Sequence, residues 1–247
     1  MKVEIYSDIA CPWCYIGERR FARALQAFPG AGDVEIVFRP YQLDATAPAE
    51  PVPMAQYLTK RFGRPMDGMF GRVTEAAAAD GITMDFDRAI AVNTRTAHRL
   101  SRLALHEYGS IVQRRLMDRL FDAYFTNGAD VSDHALLTEL AETAGMDRER
   151  VRPYLASDEG AAELEAEFDE ARARGVNAVP TFVFEEQFGV EGAQPASTFL
   201  QVLEEVQRRA AGGAPSATGE PDAEPDGAVD ADVDCADGVC AVADEPR

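Results

Sequence analysis

Long apolar runs and positive charge are both scarce in this 247-residue sequence. No stretch reaches the roughly 18 consecutive apolar residues that span a bilayer, so we expect no membrane segment. Lysine and arginine together number 24 against 43 acidic residues, which gives a formal net charge of −19. Such an excess of negative charge is repelled by phosphate backbones and anionic lipid surfaces. Nucleic acid and membranes are therefore not expected as partners.

Cysteine is scarce as well, with four residues arranged as two pairs, Cys11 with Cys14 and Cys235 with Cys240. A signal-peptide pattern is absent, because Met1 and Lys2 lead directly into a strand-like run. We therefore expect a cytoplasmic protein. In that reducing compartment, a CxxC pair is catalytic or metal-binding more often than it is a structural disulfide.

The motif Cys11-Pro12-Trp13-Cys14 lies between a strand-like run and a helical run. Two thiols at the start of a helix suit dithiol–disulfide chemistry, because unpaired N–H groups there carry partial positive charge and donate to sulfur. Pro12 fits the first helical turn, where its missing N–H has no consequence. We expect Cys11 to be an exposed thiolate with a pKa well below that of an ordinary thiol. Cys14 is expected to be the more buried partner.

The rest of the sequence predicts an alternation of short strands and helices. Residues 3–7 and 34–38 are interpreted as strands, and three prolines within 45–53 predict a loop. Ser132-Asp133 is expected to cap a helix that ends at Gly145. Further helices are predicted over 95–108, 113–125, 159–174 and 195–210, and further strands over 181–184 and 188–191.

This order indicates an α/β thioredoxin fold with a large inserted α-helical subdomain. Residues 1–53 and 175–210 supply the β-α-β-(α)-β-β-α order of the thioredoxin core, and residues 54–174 form the helical insertion. Residues 211–247 contain ten acidic residues and one arginine. Because 211–234 hold almost no large apolar group, they cannot offset the entropy of ordering. We expect a disordered, acidic tail.

The tail also carries the pair Cys235 and Cys240, separated by four residues. The flexible linker of residues 211–234 is expected to be long enough to bring these thiols within reach of Cys11. Neighbouring carboxylates raise the pKa of a thiol, and thiols of higher pKa form more stable disulfides. We hypothesise that the tail pair passes electrons to a Cys11–Cys14 disulfide. The competing interpretation is an exposed pair without a redox role.

Four segments of the chain, taken together, point to one family. They comprise 7–17, which includes the CPWC motif, 93–100, 120–125 and 175–182. In this combination and order the chain resembles the DsbA-like thioredoxin-fold oxidoreductases, and within them the FrnE-like subgroup. The resemblance implies thiol–disulfide exchange on protein substrates.

The same resemblance implies roles for individual residues. In thioredoxin folds, the X-Pro bond that opens the third core strand is cis and lies beside the CxxC, which is the position of Val179-Pro180 here. We expect Pro12, Trp13, Val179 and Pro180 to contact the substrate. Cys11 would attack a client disulfide and Cys14 would resolve the mixed disulfide, with slow resolution giving isomerisation.

We therefore predict a protein disulfide isomerase that needs no cofactor beyond its thiols. Its partners would be client proteins with disulfides or thiols, and a thiol electron donor. A second hypothesis is a glutathione-dependent isomerase or transferase, because kappa-class glutathione transferases and hydroxychromene-carboxylate isomerases are relatives that usually carry Ser where Cys11 stands. Two further hypotheses are a redox-inert protein that works through its tail and a zinc protein that uses all four cysteines. His98 is either near the cleft or part of the packing.

Overall fold

A computed structural model describes residues 1–212. The expected disorder of the tail, and Cys235 and Cys240 with it, lie outside the described residues. The elements in chain order are β1 (Lys2–Ser7), α1 (Pro12–Ala27), β2 (Glu35–Pro40), β3 (Val52–Pro53), α2 (Met54–Phe62), α3 (Asp67–Ala79), β4 (Ile90–Ala91), α4 (Arg95–Leu103), α5 (Ser110–Phe121), α6 (His134–Ala144), α7 (Arg148–Ala156), α8 (Ala161–Ala173), β5 (Thr181–Phe184), β6 (Phe188–Glu191) and α9 (Ala196–Ala210).

A four-stranded sheet in the order β2-β1-β5-β6 forms the centre of the fold. β1 pairs parallel with β2 and antiparallel with β5, and Tyr6 lies opposite Thr181. Because β1 and β5 run in opposite directions, the end of β1 and the start of β5 meet at one edge of the sheet. This register brings the segment that leads to Cys11 beside the segment that ends in Pro180.

An aromatic cluster holds α1 and α9 against β5. The ring of Phe21 in α1 lies 5.3 Å from the ring of Phe182 and 5.4 Å from the ring of Phe199 in α9. Phe184 packs edge-on against Phe21, with the ring centroids 6.1 Å apart. All four side chains are buried. The cluster therefore fixes the first helix on the strand that follows Pro180.

The residues between the two halves of the sheet are mainly helical, as the sequence predicts. α4 and α5 continue into π-helical turns over Ala104–Tyr108 and Asp122–Thr126, so both predicted helices are confirmed close to their full length. The Asp133 side chain accepts hydrogen bonds from two backbone N–H groups, and Gly145 ends α6 in the left-handed conformation. The predicted cap and stop of this helix are therefore confirmed.

Two features of this region have no counterpart in the sequence prediction. α7 contains Pro153, whose ring nitrogen cannot donate a helical hydrogen bond, so its segment does not display the usual signal of a helix. The proline-rich loop ends in β3, a two-residue strand that pairs antiparallel with β4. Pairs this short carry no recognisable alternation of apolar and polar residues.

A buried carboxylate pair lies where α1 packs on α5. Tyr15 of α1 stacks on Phe121 at 5.3 Å, and Arg114 donates a hydrogen bond to Glu18 at 3.2 Å. Burial raises the pKa of Glu18 to about 7, and the nearby charge of Asp118 adds to this effect. Burial also raises the pKa of Asp118 itself. Two neighbouring carboxyl groups are therefore partly removed from water beside Arg114, and burial raises the pKa of both.

The raised pKa of Glu18 predicts that stability depends on pH. The folded chain holds an additional proton between the ordinary pKa of 4.5 and the folded value of about 7. The free energy of unfolding therefore falls as the pH rises through this interval, by on the order of 2–3 kcal/mol. We expect Glu18→Gln to remove most of this fall in urea unfolding at pH 5 and pH 8. The exposed Glu163→Gln is the control, and equal pH slopes in wild type and Glu18→Gln would contradict the prediction.

Candidate active site

The two cysteines of the CPWC motif lie at the start of α1. Cys11 is the residue that precedes the first turn, and the helix begins at Pro12. The backbone N–H of Cys11 donates to the carbonyl of Asp8 at 3.0 Å, and the N–H of Cys14 donates to the carbonyl of Cys11 at 3.1 Å. Both thiols are free. The structure therefore shows the reduced dithiol at a helix N-terminus.

The expectation of an exposed Cys11 with a lowered pKa is wrong. Its side chain is only 4% exposed, and Cys14 is 1% exposed. Burial raises the pKa of Cys11 well above that of an ordinary thiol, and the adjacent Cys14 thiol raises it further. A hydrogen bond from the Cys14 backbone acts in the opposite direction but does not compensate. Removal from water therefore outweighs the helix N-terminus in this dithiol form.

Cys11 lies directly beside the segment that precedes β5. Its Sγ donates to the carbonyl oxygen of Val179 at 3.5 Å, and the Val179–Pro180 peptide bond is cis. Gly17 of α1 makes a close approach possible, because a Cβ built there would lie 3.0 Å from Cγ of Pro180 and 3.4 Å from Cα of Ala193. The structure therefore brings together the two segments that the sequence assigns to the site.

An apolar groove opens at Cys11. Its volume is about 180 Å³. Asp44 and Arg61 are the two charged residues among its described lining, and the Arg61 Nη1 atom lies 2.7 Å from the carboxylate of Asp44. The other described lining residues are apolar apart from the tyrosines Tyr57 and Tyr124. The apolar set includes Pro12, Trp13, Leu43, Met54, Leu58, Met69 and Val179.

Sequence reasoning did not identify this groove. Its walls come from the start of α1, from the segment after β2, and from α2 and α3, and about 30 residues separate the first of these from the others. Of the predicted substrate contacts, Pro12, Trp13 and Val179 line the groove, whereas Pro180 is buried behind it. Only the tertiary fold brings the apolar side chains of α2 and α3 to Cys11.

The three histidines occupy two kinds of environment. His98 is buried, with its Nε2 atom 3.2 Å from the carboxylate of Asp8 and its ring edge-on to Phe168. His106 and His134 are exposed. Asp8, which sequence reasoning left without a role, is thus the buried acid that joins His98 to the loop of Cys11.

No cluster of three or more potential metal ligands exists within residues 1–212. The zinc hypothesis also draws on Cys235 and Cys240, which lie outside the described residues. Among the helices of the described part of the chain, none combines the length and apolar character needed to cross a bilayer.

The sheet order and the dithiol at the start of the first helix define a thioredoxin-fold protein with interposed helices. The chain belongs to the DsbA-like thioredoxin domain family, whose family model matches residues 2–204. The DsbA-like resemblance stated from the sequence is therefore confirmed, while the comparisons do not separate the FrnE-like subgroup. Membership of this family supports thiol–disulfide oxidoreductase activity in general.

Solved structures agree with this assignment. A probable DsbA oxidoreductase from Streptomyces coelicolor is 34% identical, with a TM-score of 0.76 over 98% of this chain and 100% of that one. A 2-hydroxychromene-2-carboxylate isomerase is 17% identical, with a TM-score of 0.61 over 86% of this chain and 98% of that one. The cytosolic disulfide reductase DsbM from Pseudomonas aeruginosa is 18% identical, with a TM-score of 0.58 over 85% of this chain and 100% of that one. Because the isomerase and DsbM are less than 20% identical to this chain, they show similarity of fold alone.

Proposed function

We propose that this chain is a thiol–disulfide oxidoreductase that acts as a protein disulfide isomerase through Cys11 and Cys14. The observation that carries the proposal is the position of the reduced Cys11, which lies in an apolar groove with its Sγ 3.5 Å from the Val179 carbonyl oxygen. An extended client segment in the groove would place its disulfide beside this sulfur.

The proposed reaction begins when Cys11 loses its proton to water and attacks one sulfur of a client disulfide. The client S–S bond breaks, a bond forms between Cys11 and the client, and the other client sulfur leaves as a thiolate. A client thiolate then attacks the client sulfur of this mixed disulfide. A new client disulfide forms and Cys11 is released, with no net oxidation or reduction.

Reduction is the competing outcome of the same mixed disulfide. Cys14 attacks the sulfur of Cys11, the client leaves as a dithiol, and a Cys11–Cys14 disulfide holds the oxidised state. A thiol electron donor must then reduce this disulfide before the next cycle.

The burial of Cys11 supports an isomerase or reductase rather than an oxidase. A strongly oxidising dithiol requires a stabilised thiolate, because that stabilises its reduced form. Here burial raises the pKa of Cys11, so the thiolate gains little from its surroundings. A couple of this kind holds its electrons less tightly, so it passes them to client disulfides rather than taking electrons from client thiols, and a donor must reduce it again after each net transfer.

The lining of the groove supports protein clients. Apolar side chains from α2 and α3 suit the apolar segments that misfolded proteins expose. Glutathione, the substrate of the second hypothesis, carries two carboxylates that call for unpaired cations. The arginine among the described lining residues, Arg61, is already paired with Asp44.

A glutathione-dependent isomerase or transferase remains the second candidate, because the fold is similar to that of a 2-hydroxychromene-2-carboxylate isomerase. Cys11 argues against it, since those relatives usually carry serine at this position. Glutathione binding in a titration of the fluorescence of Trp13, the single tryptophan of the sequence, would favour this candidate.

The proposal includes the tail pair and the compartment. Cys235 and Cys240 are proposed to reduce the Cys11–Cys14 disulfide, each transfer moving two electrons and leaving a Cys235–Cys240 disulfide. A cytoplasmic location is proposed because an isomerase must have its dithiol kept reduced, which a reducing pool of thiols provides. The similar fold of a cytosolic disulfide reductase is compatible with this location.

Refolding of a scrambled disulfide protein tests the proposed activity. We expect wild type to restore native disulfides when reductant is limiting, and Cys235→Ser to slow this turnover several-fold because the relay is broken. Net loss of client disulfides without recovery of the native fold would identify a reductase instead. Equal rates for Cys235→Ser and wild type would contradict the relay, and no effect of wild type would support a redox-inert protein.

A further inference from the structure

The Asp8 carboxylate ties the loop of Cys11 to the helices that follow β4. Asp8 is 1% exposed. It accepts hydrogen bonds from the N–H of Ala10 at 3.2 Å and from the N–H of Leu43 at 2.8 Å. At the start of α4, the hydroxyl of Thr94 donates to Oδ1 of Asp8 at 2.9 Å, and Nε2 of His98 lies 3.2 Å from the same oxygen. Four donors from three separate segments therefore meet on one acid.

His98 is the imidazole among these donors, and its Nε2 atom faces Oδ1 of Asp8. A carboxylate only accepts, so Nε2 is the nitrogen that donates its N–H to Asp8. The ring is buried, and the edge of the ring packs against Phe168 of α8. The small cavity on which His98 borders is also lined by charged residues from β2, α4 and α8, namely Arg39, Arg102 and Glu167.

The charge of Asp8 acts on Cys11, which lies three residues away and donates its N–H to the Asp8 carbonyl at 3.0 Å. A negative charge this close opposes a second negative charge on sulfur, and Asp8 is among the groups that raise the pKa of Cys11, after burial and Cys14. Tyr41 and Tyr124, on which Asp8 also acts, stay neutral because burial raises the pKa of each. The hydrogen bond from His98 compensates part of the Asp8 charge, and its loss would leave more of that charge acting on Cys11.

We propose that His98 is a positioning residue for the Cys11 thiolate: it acts through Asp8, holding the loop by its hydrogen bond and offsetting the carboxylate charge. With the His98 hydrogen bond in place, the loop is held and the carboxylate charge is partly compensated, which favours the Cys11 thiolate. Without this hydrogen bond, the carboxylate opposes the thiolate more strongly. The inference rests on the proposed function only in taking Cys11 as the nucleophile.

Alkylation of Cys11 by iodoacetamide tests this inference without a client. The rate is followed from pH 6 to pH 9 in the reduced full-length chain, and mass spectrometry of peptides separates Cys11 from Cys14, Cys235 and Cys240. We expect His98→Leu to lower the Cys11 rate at pH 7 about tenfold, which corresponds to one unit of thiol pKa. His98→Gln, which keeps a neutral donor, should match wild type within about twofold at pH 8.5.

The position of the pH profile separates this role from a merely structural one. His98→Leu should displace the Cys11 profile to higher pH by about one unit, whereas His98→Gln should leave it close to that of wild type. Asp8→Asn, which removes the carboxylate charge, should displace the profile to lower pH, and this result decides the matter should His98→Leu fail to fold. The matched control is His106→Leu, which removes an exposed histidine of the same region.

A wild-type rate in His98→Leu, a tenfold loss in His98→Gln, or an equal loss in His106→Leu would each overturn the inference. The outcome is distinct from that of the proposed function. If Cys11 alkylation responds as expected while scrambled proteins are not refolded, the isomerase proposal fails and the role of His98 stands.

Discussion

Replacing Cys11 with serine should abolish thiol–disulfide exchange, with a loss on the order of 10³-fold or more in the refolding of a scrambled protein. A serine hydroxyl cannot form the mixed disulfide, and its oxygen remains protonated at any pH the fold tolerates. No other described thiol can take this place, because Cys14 is 1% exposed and absent from the described lining of the groove. The effect is therefore expected in the rate of exchange rather than in client binding.

Cys14→Ser is the matched comparison for this loss. It keeps the attacking sulfur and removes the resolving one, so mixed disulfides between Cys11 and clients should accumulate and be visible on non-reducing gels. Isomerisation, which needs only Cys11, should persist in this variant while net reduction is lost. If Cys11→Ser retained more than a tenth of the wild-type activity, the tail pair Cys235 and Cys240 would be the primary nucleophiles.

The parts of the site that could be predicted are those encoded within a few residues. Cys11 and Cys14 are recognisable because a helix start follows a strand within one short segment. Pro180 is recognised through the resemblance to thioredoxin folds, which have a cis X-Pro bond before the third core strand, and the antiparallel register of β1 and β5 brings it to Cys11. Recognition of the CxxC motif depends on its neighbours in the chain, and these are visible in the sequence itself.

The parts that could not be predicted depend on partners far away in the chain. The pKa of Cys11 depends on how much water the groove excludes, which is determined by side chains such as Met54 and Leu43. Glu18 looks like a surface residue in the sequence, and only the packing of α1 on α5 buries it beside Asp118. In both places removal from water outweighs a local expectation. The helix N-terminus alone would lower the pKa of Cys11, and a glutamate in a helix would ordinarily stay charged.

The aromatic cluster behind the site gives the second large expectation, a loss of stability in Phe21→Ala. Phe21 is 1% exposed and lies within 5.3–6.1 Å of Phe182, Phe184 and Phe199, measured between ring centroids. Removing a buried ring leaves a cavity that the neighbouring rings cannot fill without leaving their rotamers. We expect the free energy of unfolding to fall by about 3–5 kcal/mol. Urea unfolding measures this loss.

Ile111→Ala is the control, because this side chain is 69% exposed and its loss should change stability by no more than about 0.5 kcal/mol. A loss below about 1 kcal/mol in Phe21→Ala would mean that the cluster does not hold α1 on the sheet. The position of Phe21 adds a further consequence, since Phe182 lies two residues after Pro180 in β5 and packs on the same helix that carries Cys11 and Cys14. The stability of the core and the geometry of the dithiol therefore depend on the same contacts, and Phe21→Ala should slow exchange even in the fraction of the chain that remains folded.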